Sequence, residues 1–172
     1  MEPWRKLDEH VVYSRYRRVV SKRFVQPGGA VVEYEIKDED AMVVVLALTA
    51  LREVVLVRQF RPGPEAILLE LPGGVIDPGA SPAETAVTEL REETGYRGRI
   101  ESAGTLLEEA YSNRMKHVFV AHDCQREDDP EEPHLSEAVL VSVPEFRNNL
   151  RRGLMGDVDA GYLALDYLGL LE

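Results

Sequence analysis

The run Met42-Val43-Val44-Val45-Leu46-Ala47-Leu48 is apolar at every position. A strand with one wet face alternates apolar and polar residues, so an unbroken run of this kind reads as a strand buried on both faces. Further segments rich in Val, Tyr and Phe predict strands at Val11 to Tyr13, Arg17 to Val25, Ala30 to Ile36 and Val54 to Phe60. Turn signals at Gln26-Pro27-Gly28-Gly29 and Lys37-Asp38-Glu39-Asp40 separate them. Val11 to Val25 mixes Arg and Tyr with Val, the pattern of half-exposed strands: an edge hairpin, or an arm that reaches a second copy of the chain.

A helix is predicted after Asp77-Pro78-Gly79. Ser81 is a suitable N-cap, Pro82 stands at the first helical position and Glu84 three residues past the cap completes a capping box. Gly95 ends it as a C-cap glycine. Ala83, Ala86, Val87 and Leu90 recur at i, i+3, i+4 and i+7 and are the stripe expected to pack on the sheet. Beyond the helix come strands near Arg99 to Leu107 and Lys116 to His122, an acidic surface loop from Arg126 to Pro133, a strand at Ala138 to Val143, and two helices begun by Pro144 and Asp157.

At 172 residues and 44% hydrophobic content, one domain with one sizeable core is expected. No stretch of about eighteen apolar residues predicts a membrane span, and no apolar segment followed by a small-residue cleavage site predicts export, so a soluble cytoplasmic protein is expected. The single cysteine, Cys124, excludes an internal disulfide and reads as a buried structural thiol. With 20 Lys and Arg against 31 Asp and Glu, the formal charge of -11 repels a polyanion and argues against nucleic-acid binding. A small phosphorylated ligand remains compatible, because a bound divalent metal reverses the field inside an acidic cleft.

Glu89, Glu92 and Glu93 fall at i, i+3 and i+4 of the helix and share a face about 100° wide. Like charges at this spacing cost a few tenths of a kcal/mol per pair, which a cation would remove. Such a face is either a solvated acidic surface or a set of hard oxygen ligands suited to Mg²⁺.

Gly74 to Tyr96 resembles the Nudix box, G-x5-E-x7-R-E-U-x-E-E-x-G-U with U a bulky apolar residue. Gly74, Glu89, Leu90, Glu92, Glu93 and Gly95 match at the required spacing, and Tyr96 takes the last place. Ala80 and Thr88 stand where the box has Glu and Arg. An acid and a base lost together leave no stranded charge, and Glu84 and Arg91 lie close enough along the helix to be considered as substitutes, though Arg91 lies on a different face. Val57-Arg58-Gln59-Phe60-Arg61 and Glu70-Leu71-Pro72-Gly73-Gly74 are similar to segments of the ADP-ribose and nucleotide-sugar branch of that family.

The resemblance implies an α/β (α+β) Nudix fold, a mixed β-sheet sandwiched between helices with an N-terminal strand extension. Residues 1–40 would be N-terminal strands of the same domain, acting as a dimer arm, and 41–172 the Nudix domain, with a homodimer as the assembly. It implies that Glu89, Glu92 and Glu93, with the Gly73 carbonyl, hold Mg²⁺ or Mn²⁺ against a diphosphate and that a metal-bound water attacks phosphorus. A further carboxylate serves as base, with Glu132 and Glu137 as candidates. Arg58, Arg61 and Arg114 are the candidate substrate contacts; Arg58 and Arg61 lie on opposite faces of a regular strand, so a bend is needed to bring both to one ligand. Arg114 belongs to Ser112-Asn113-Arg114-Met115-Lys116-His117, similar to a cleft-lining segment of some members, in which His117 is a cleft residue or a structural one. The ADP-ribose branch usually has a proline near this point, where Tyr111-Ser112 stands here.

Three readings follow. The first is metal-dependent hydrolysis of ADP-ribose or a related nucleotide sugar to a nucleoside monophosphate and a sugar phosphate. The second is hydrolysis of a nucleoside triphosphate or dinucleoside polyphosphate, and the third a nucleotide-binding sensor without turnover.

Overall fold

A computed structural model describes residues 1–132, 135–153 and 155–172; Pro133, at the end of the expected acidic loop, lies outside them. The chain forms two compact units, residues 1–41 with 107–115, and residues 42–106 with 116–172.

In the first unit β1 (Arg5–Ser14), β2 (Arg18–Val25) and β3 (Val31–Lys37) form an antiparallel sheet in the order β1-β2-β3. The division at residues 40 and 41 left Leu107–Met115 with the rest of the chain. Here that segment joins the first unit, because the Lys37 N–H donates to the Tyr111 carbonyl and the Asn113 N–H to that of Lys37. Every residue of β1 is exposed, Trp4 tilts against Tyr34, and Tyr34 tilts against Tyr111.

In the second unit β4 (Met42–Thr49), β5 (Glu53–Arg61), β6 (Ala66–Glu70), β7 (Tyr96–Leu107) and β8 (Met115–Arg126) run in the order β6-β5-β4-β8-β7, and β9 (Ser136–Ser142) joins β5. β4 and β8 are parallel and the β5 pairings antiparallel, so the sheet is mixed. α1 (Pro82–Thr94) covers one face; α2 (Val143–Arg152) and α3 (Val158–Tyr167) cover the other. The period-two geometry of β4 divides its apolar run accordingly. Val43, Val45 and Ala47 pack with Ala86 and Leu90 of α1, while Val44, Leu46 and Leu48 pack with Phe146, Leu150, Ala164 and Leu165. Each fully buried Val or Leu adds roughly 1.5–3 kcal/mol over its exposed state. Cys124 lies in the α1 cluster, where burial pushes its thiol up to about 11. Among the described residues no helix is long and apolar enough to cross a membrane.

β4 pairs with β5 only at Ala47 and Leu48, and farther along β5 the partner on that edge is β6. The segment Pro72 to Gly74 fills the gap: the Val45 N–H donates to the Pro72 carbonyl and the Val43 N–H to that of Gly74, at 2.8 and 2.9 Å. A Cβ on Gly73 would run into the Val43 carbonyl oxygen, so this close backbone approach needs glycine.

Candidate active site

The capping box of α1 is formed. Ser81 accepts from the Glu84 N–H, the Glu84 carboxylate accepts from the Ser81 N–H, and Gly95 closes the helix at φ 74°. Glu84 is thereby committed to the cap, at a pKa lowered by the Ser81 hydroxyl, and does not replace the box residue missing at Ala80.

The helix is rotated from the expected stripe. Ala83 and Val87 are exposed; the face turned inward is Pro82, Thr85, Ala86, Glu89, Leu90, Glu93 and Thr94. These residues also follow the three-and-four spacing, but two of them are glutamates. Thr85 and Thr94 tolerate burial because their hydroxyls donate to the carbonyls of Ser81 and Leu90, one turn back. The rotation sets Glu93 against the Pro72–Gly74 segment, where the Gly73 N–H donates to its Oε2 at 2.8 Å. Glu89 lies against Gly74 so closely that a Cβ there would strike its carboxylate.

These two carboxyls are held in a partly dry, negative environment. Burial is the main reason that Glu93 is raised from 4.5 to about 7; Glu89 and Glu70 add to it, while the Gly73 N–H and the Arg61 charge oppose it. Glu89 is also raised, first by burial and then by Glu92 and Asp77. Both groups therefore gain from a cation.

Glu89, Glu92 and Glu93 line a cleft of about 300 Å³ together with Gln59, Glu131, Glu132, Leu135 and Ser136. That volume is near the lower end for small-molecule sites and suits a diphosphate with hydrated ions. The acidic segment is docked rather than free: the N–H groups of Glu127 and Asp128 donate to the Gly95 carbonyl and that of Glu131 to Glu92. This brings Glu132 to the cleft. Glu137 is turned away, because Ser136 pairs with Gln59 in the sheet register and its neighbour Glu137 projects to the opposite face, where it binds Arg58.

The arginines separate likewise. Gln59 and Arg61 share one face of β5, and both hold Glu70, a carboxylate only 6% exposed; Arg61 is thereby near enough to lower Glu93. No bend brings Arg58 round to join it. Arg114 belongs to the first unit, where it donates to the Asp40 carbonyl and faces Glu39 and Glu108. His117 in β8 lies 3.5 Å from the Thr105 hydroxyl.

Gln59, Glu131, Leu135 and Ser136 were not singled out from sequence. Strand alternation marks Gln59 as the companion of Arg61, whereas Ser136 depends on the β5–β9 register and Glu131 on how the acidic segment docks. Among the described residues no three carboxylate, imidazole or thiol side chains converge into a finished metal cage. All-oxygen donors around an open cleft nonetheless fit Mg²⁺, which keeps several waters and shares its remaining positions with phosphate oxygens. Among the described residues, β4 bonds the carbonyls of Pro72 and Gly74 and not that of Gly73.

A family model described as NUDIX domain matches residues 37–158. The ADP-ribose pyrophosphatase of Bacillus subtilis (strain 168) is 28% identical over 151 residues, 85% of this chain and 81% of that protein. The methanol dehydrogenase activator of Bacillus methanolicus is 27% identical over 153 residues, again 85% of this chain and 81% of the other. A crystal structure of an ADP compounds hydrolase superposes with a TM-score of 0.84 at 24% identity, covering 98% of this chain and 96% of that one, a likeness of fold. With the family match spanning most of the chain and the box glutamates gathered in one cleft, this protein belongs to the NUDIX family and is a Nudix hydrolase.

Proposed function

We propose that the chain hydrolyses the diphosphate of ADP-ribose or a related nucleotide sugar, with Mg²⁺ or Mn²⁺, to a nucleoside monophosphate and a sugar phosphate. The observation that carries this reading is the meeting of Glu89, Glu92 and Glu93 from α1 with Glu132 from the acidic segment around one cleft. The name of the Bacillus subtilis relative supports the substrate class; the differently named Bacillus methanolicus relative is equally similar, so the substrate needs a direct test.

In this mechanism Glu89, Glu92 and Glu93, with the Gly73 carbonyl, would hold the metal, which would supply charge neutralisation at the diphosphate and a more acidic water. Gly73 orients Glu93 through its N–H. Glu132 is the carboxylate we assign as base, in preference to Glu137 on the far face, since a base must reach the water it deprotonates. Arg61, its guanidinium held by Glu70, offsets the negative charge at Glu93 and is the arginine we assign to the substrate side.

A second copy of the chain is the proposed partner. β1 is an edge strand exposed along all ten residues, including Leu7, Val11, Val12 and Tyr13, and such an edge is a template for pairing. Sedimentation equilibrium showing only monomer would reject the dimer.

The activity is tested by a phosphatase-coupled phosphate-release assay over ADP-ribose, sugar nucleotides, dinucleoside polyphosphates and nucleoside triphosphates, each with Mg²⁺ or Mn²⁺. Turnover concentrated on the first two classes is expected. Turnover confined to the last two would replace this substrate assignment, and binding without turnover would replace catalysis by sensing.

A further inference from the structure

We propose that Arg91 is the positioning residue that holds the Glu131–Glu132 segment at the cleft, an inference that rests on the hydrolase reading above. The acidic segment crosses the C-terminal end of α1, where the helix dipole is negative and Glu89, Glu92 and Glu93 already crowd the adjoining face. Placing Glu127, Asp128, Asp129, Glu131 and Glu132 there is electrostatically opposed, although backbone hydrogen bonds to Gly95 and Glu92 draw the chain in. Some cation must offset this opposition for the segment to keep its place.

Three arginines do so at different points. Arg97 meets Glu127 and Asp128, and Arg126 meets Asp129, both at the far end of the segment. Arg91 acts beside the cleft: its Nη2 donates to Glu92 Oε1 at 2.9 Å and to Glu131 Oε1 at 3.2 Å. Alongside this bridge, the Glu131 N–H donates to the Glu92 carbonyl at 2.8 Å. Arg91 thus ties a glutamate of the helix face to the residue immediately before Glu132. A planar guanidinium can serve both carboxylates at once, whereas a lysine ammonium on its flexible stem matches that fork geometry poorly. Thr88, where the family box has arginine, is exposed, and Arg91 one turn further on is a basic side chain that engages the glutamate face.

The role differs from metal binding and from proton transfer. Arg91 touches neither water nor substrate in this scheme; it limits the wandering of Glu132, so its loss should lower kcat and leave KM nearly unchanged. It should also free the Glu131 N–H.

The test uses the full chain with Arg91→Met, which keeps the stem and removes the fork, and Arg91→Lys, which keeps the charge. Amide hydrogen exchange of the metal-free protein should show Glu131 exchanging at least about tenfold faster in Arg91→Met, with the Leu90 and Val45 amides unchanged. With ADP-ribose and Mg²⁺, kcat should fall about tenfold at a KM within roughly twofold of the parent, and Arg91→Lys should recover part of both effects. Glu131 exchange and kcat both within about twofold of the parent would overturn the proposal. Faster exchange at full kcat would also overturn it, since the tether would then have no bearing on turnover. A fall in kcat with Glu131 still protected would do the same, assigning the effect of Arg91 to its other partner, Glu92. If the parent does not hydrolyse ADP-ribose, the substrate assignment fails on its own, and unchanged Glu131 exchange would still refute the tether.

Discussion

Glu93→Gln gives a test in which the site is read through stability. In the folded, metal-free chain the Glu93 carboxyl is raised from 4.5 to about 7, with burial as the leading cause. Between those values the unfolded chain has released this proton while the folded chain retains it, so stability present below pH 4.5 is lost as pH rises through about 7. At about 1.4 kcal/mol per pH unit the loss has a ceiling of roughly 3 kcal/mol, and about 2 kcal/mol after allowing for solvent access to the cleft. Glutamine is nearly the shape of the protonated acid, and its carbonyl can still accept from the Gly73 N–H. Metal-free Glu93→Gln should therefore match the parent near pH 4.5 and exceed it by about 2 kcal/mol at pH 8, a Tm gain of roughly 4–8 °C for a chain of this size. Thermal unfolding in chelator at pH steps from 4.5 to 8 measures this. Mg²⁺ at pH 8 should narrow or reverse the difference, because the parent keeps an anionic ligand that the variant lacks. A variant equal to or less stable than the parent across the range would refute the dry-carboxyl account of the site.

Other perturbations separate site from scaffold. Gly74→Ala places a Cβ against the movable Glu89 carboxylate, so turnover should drop at least about tenfold with little change in Tm. Gly73→Ala instead meets the Val43 backbone and should cost about 3 kcal/mol in urea unfolding. Arg61→Met leaves Glu70 buried with, among the described residues, Gln59 alone to satisfy it. Because Arg61 is itself half exposed, the cost should be about 2–3 kcal/mol, below the usual range for breaking a fully buried pair, and a Tm shift under about 2 °C would contradict it. Arg58→Met removes an exposed ion pair on the far face, and kcat/KM within about twofold of the parent is expected; a larger loss would return Arg58 to the substrate side.

The sequence was most legible where a local rule acts alone. Ser81, Pro82, Glu84 and Gly95 mark the ends of α1 because caps are satisfied within a few residues, and the Met42–Leu48 run marks β4 because every position faces a protein layer. β6 went unread: Ala66–Glu70 is five residues without clear period, and it exists through long-range pairing with β5. The inward face of α1 departs from the apolar stripe because threonines and glutamates, which no apolar period marks, occupy four of its positions. Their burial depends on local carbonyls for Thr85 and Thr94 and on a distant glycine N–H for Glu93. Similarly, the placement of Glu137 and Arg58 on the far face follows from strand register, and that of Glu132 at the cleft from the docking of the acidic segment, neither of which a single segment encodes.

Cys124 is buried in one cluster with Val43, Val45, Leu90 and Phe119, protonated at neutral pH and sealed from reagents while that packing holds. It is the only cysteine in the chain. Its rate of labelling by a thiol reagent, compared with that of the unfolded chain, therefore reports how often the packing around this part of the sheet opens. The molecule thus carries a single-atom clock for the opening of its own core.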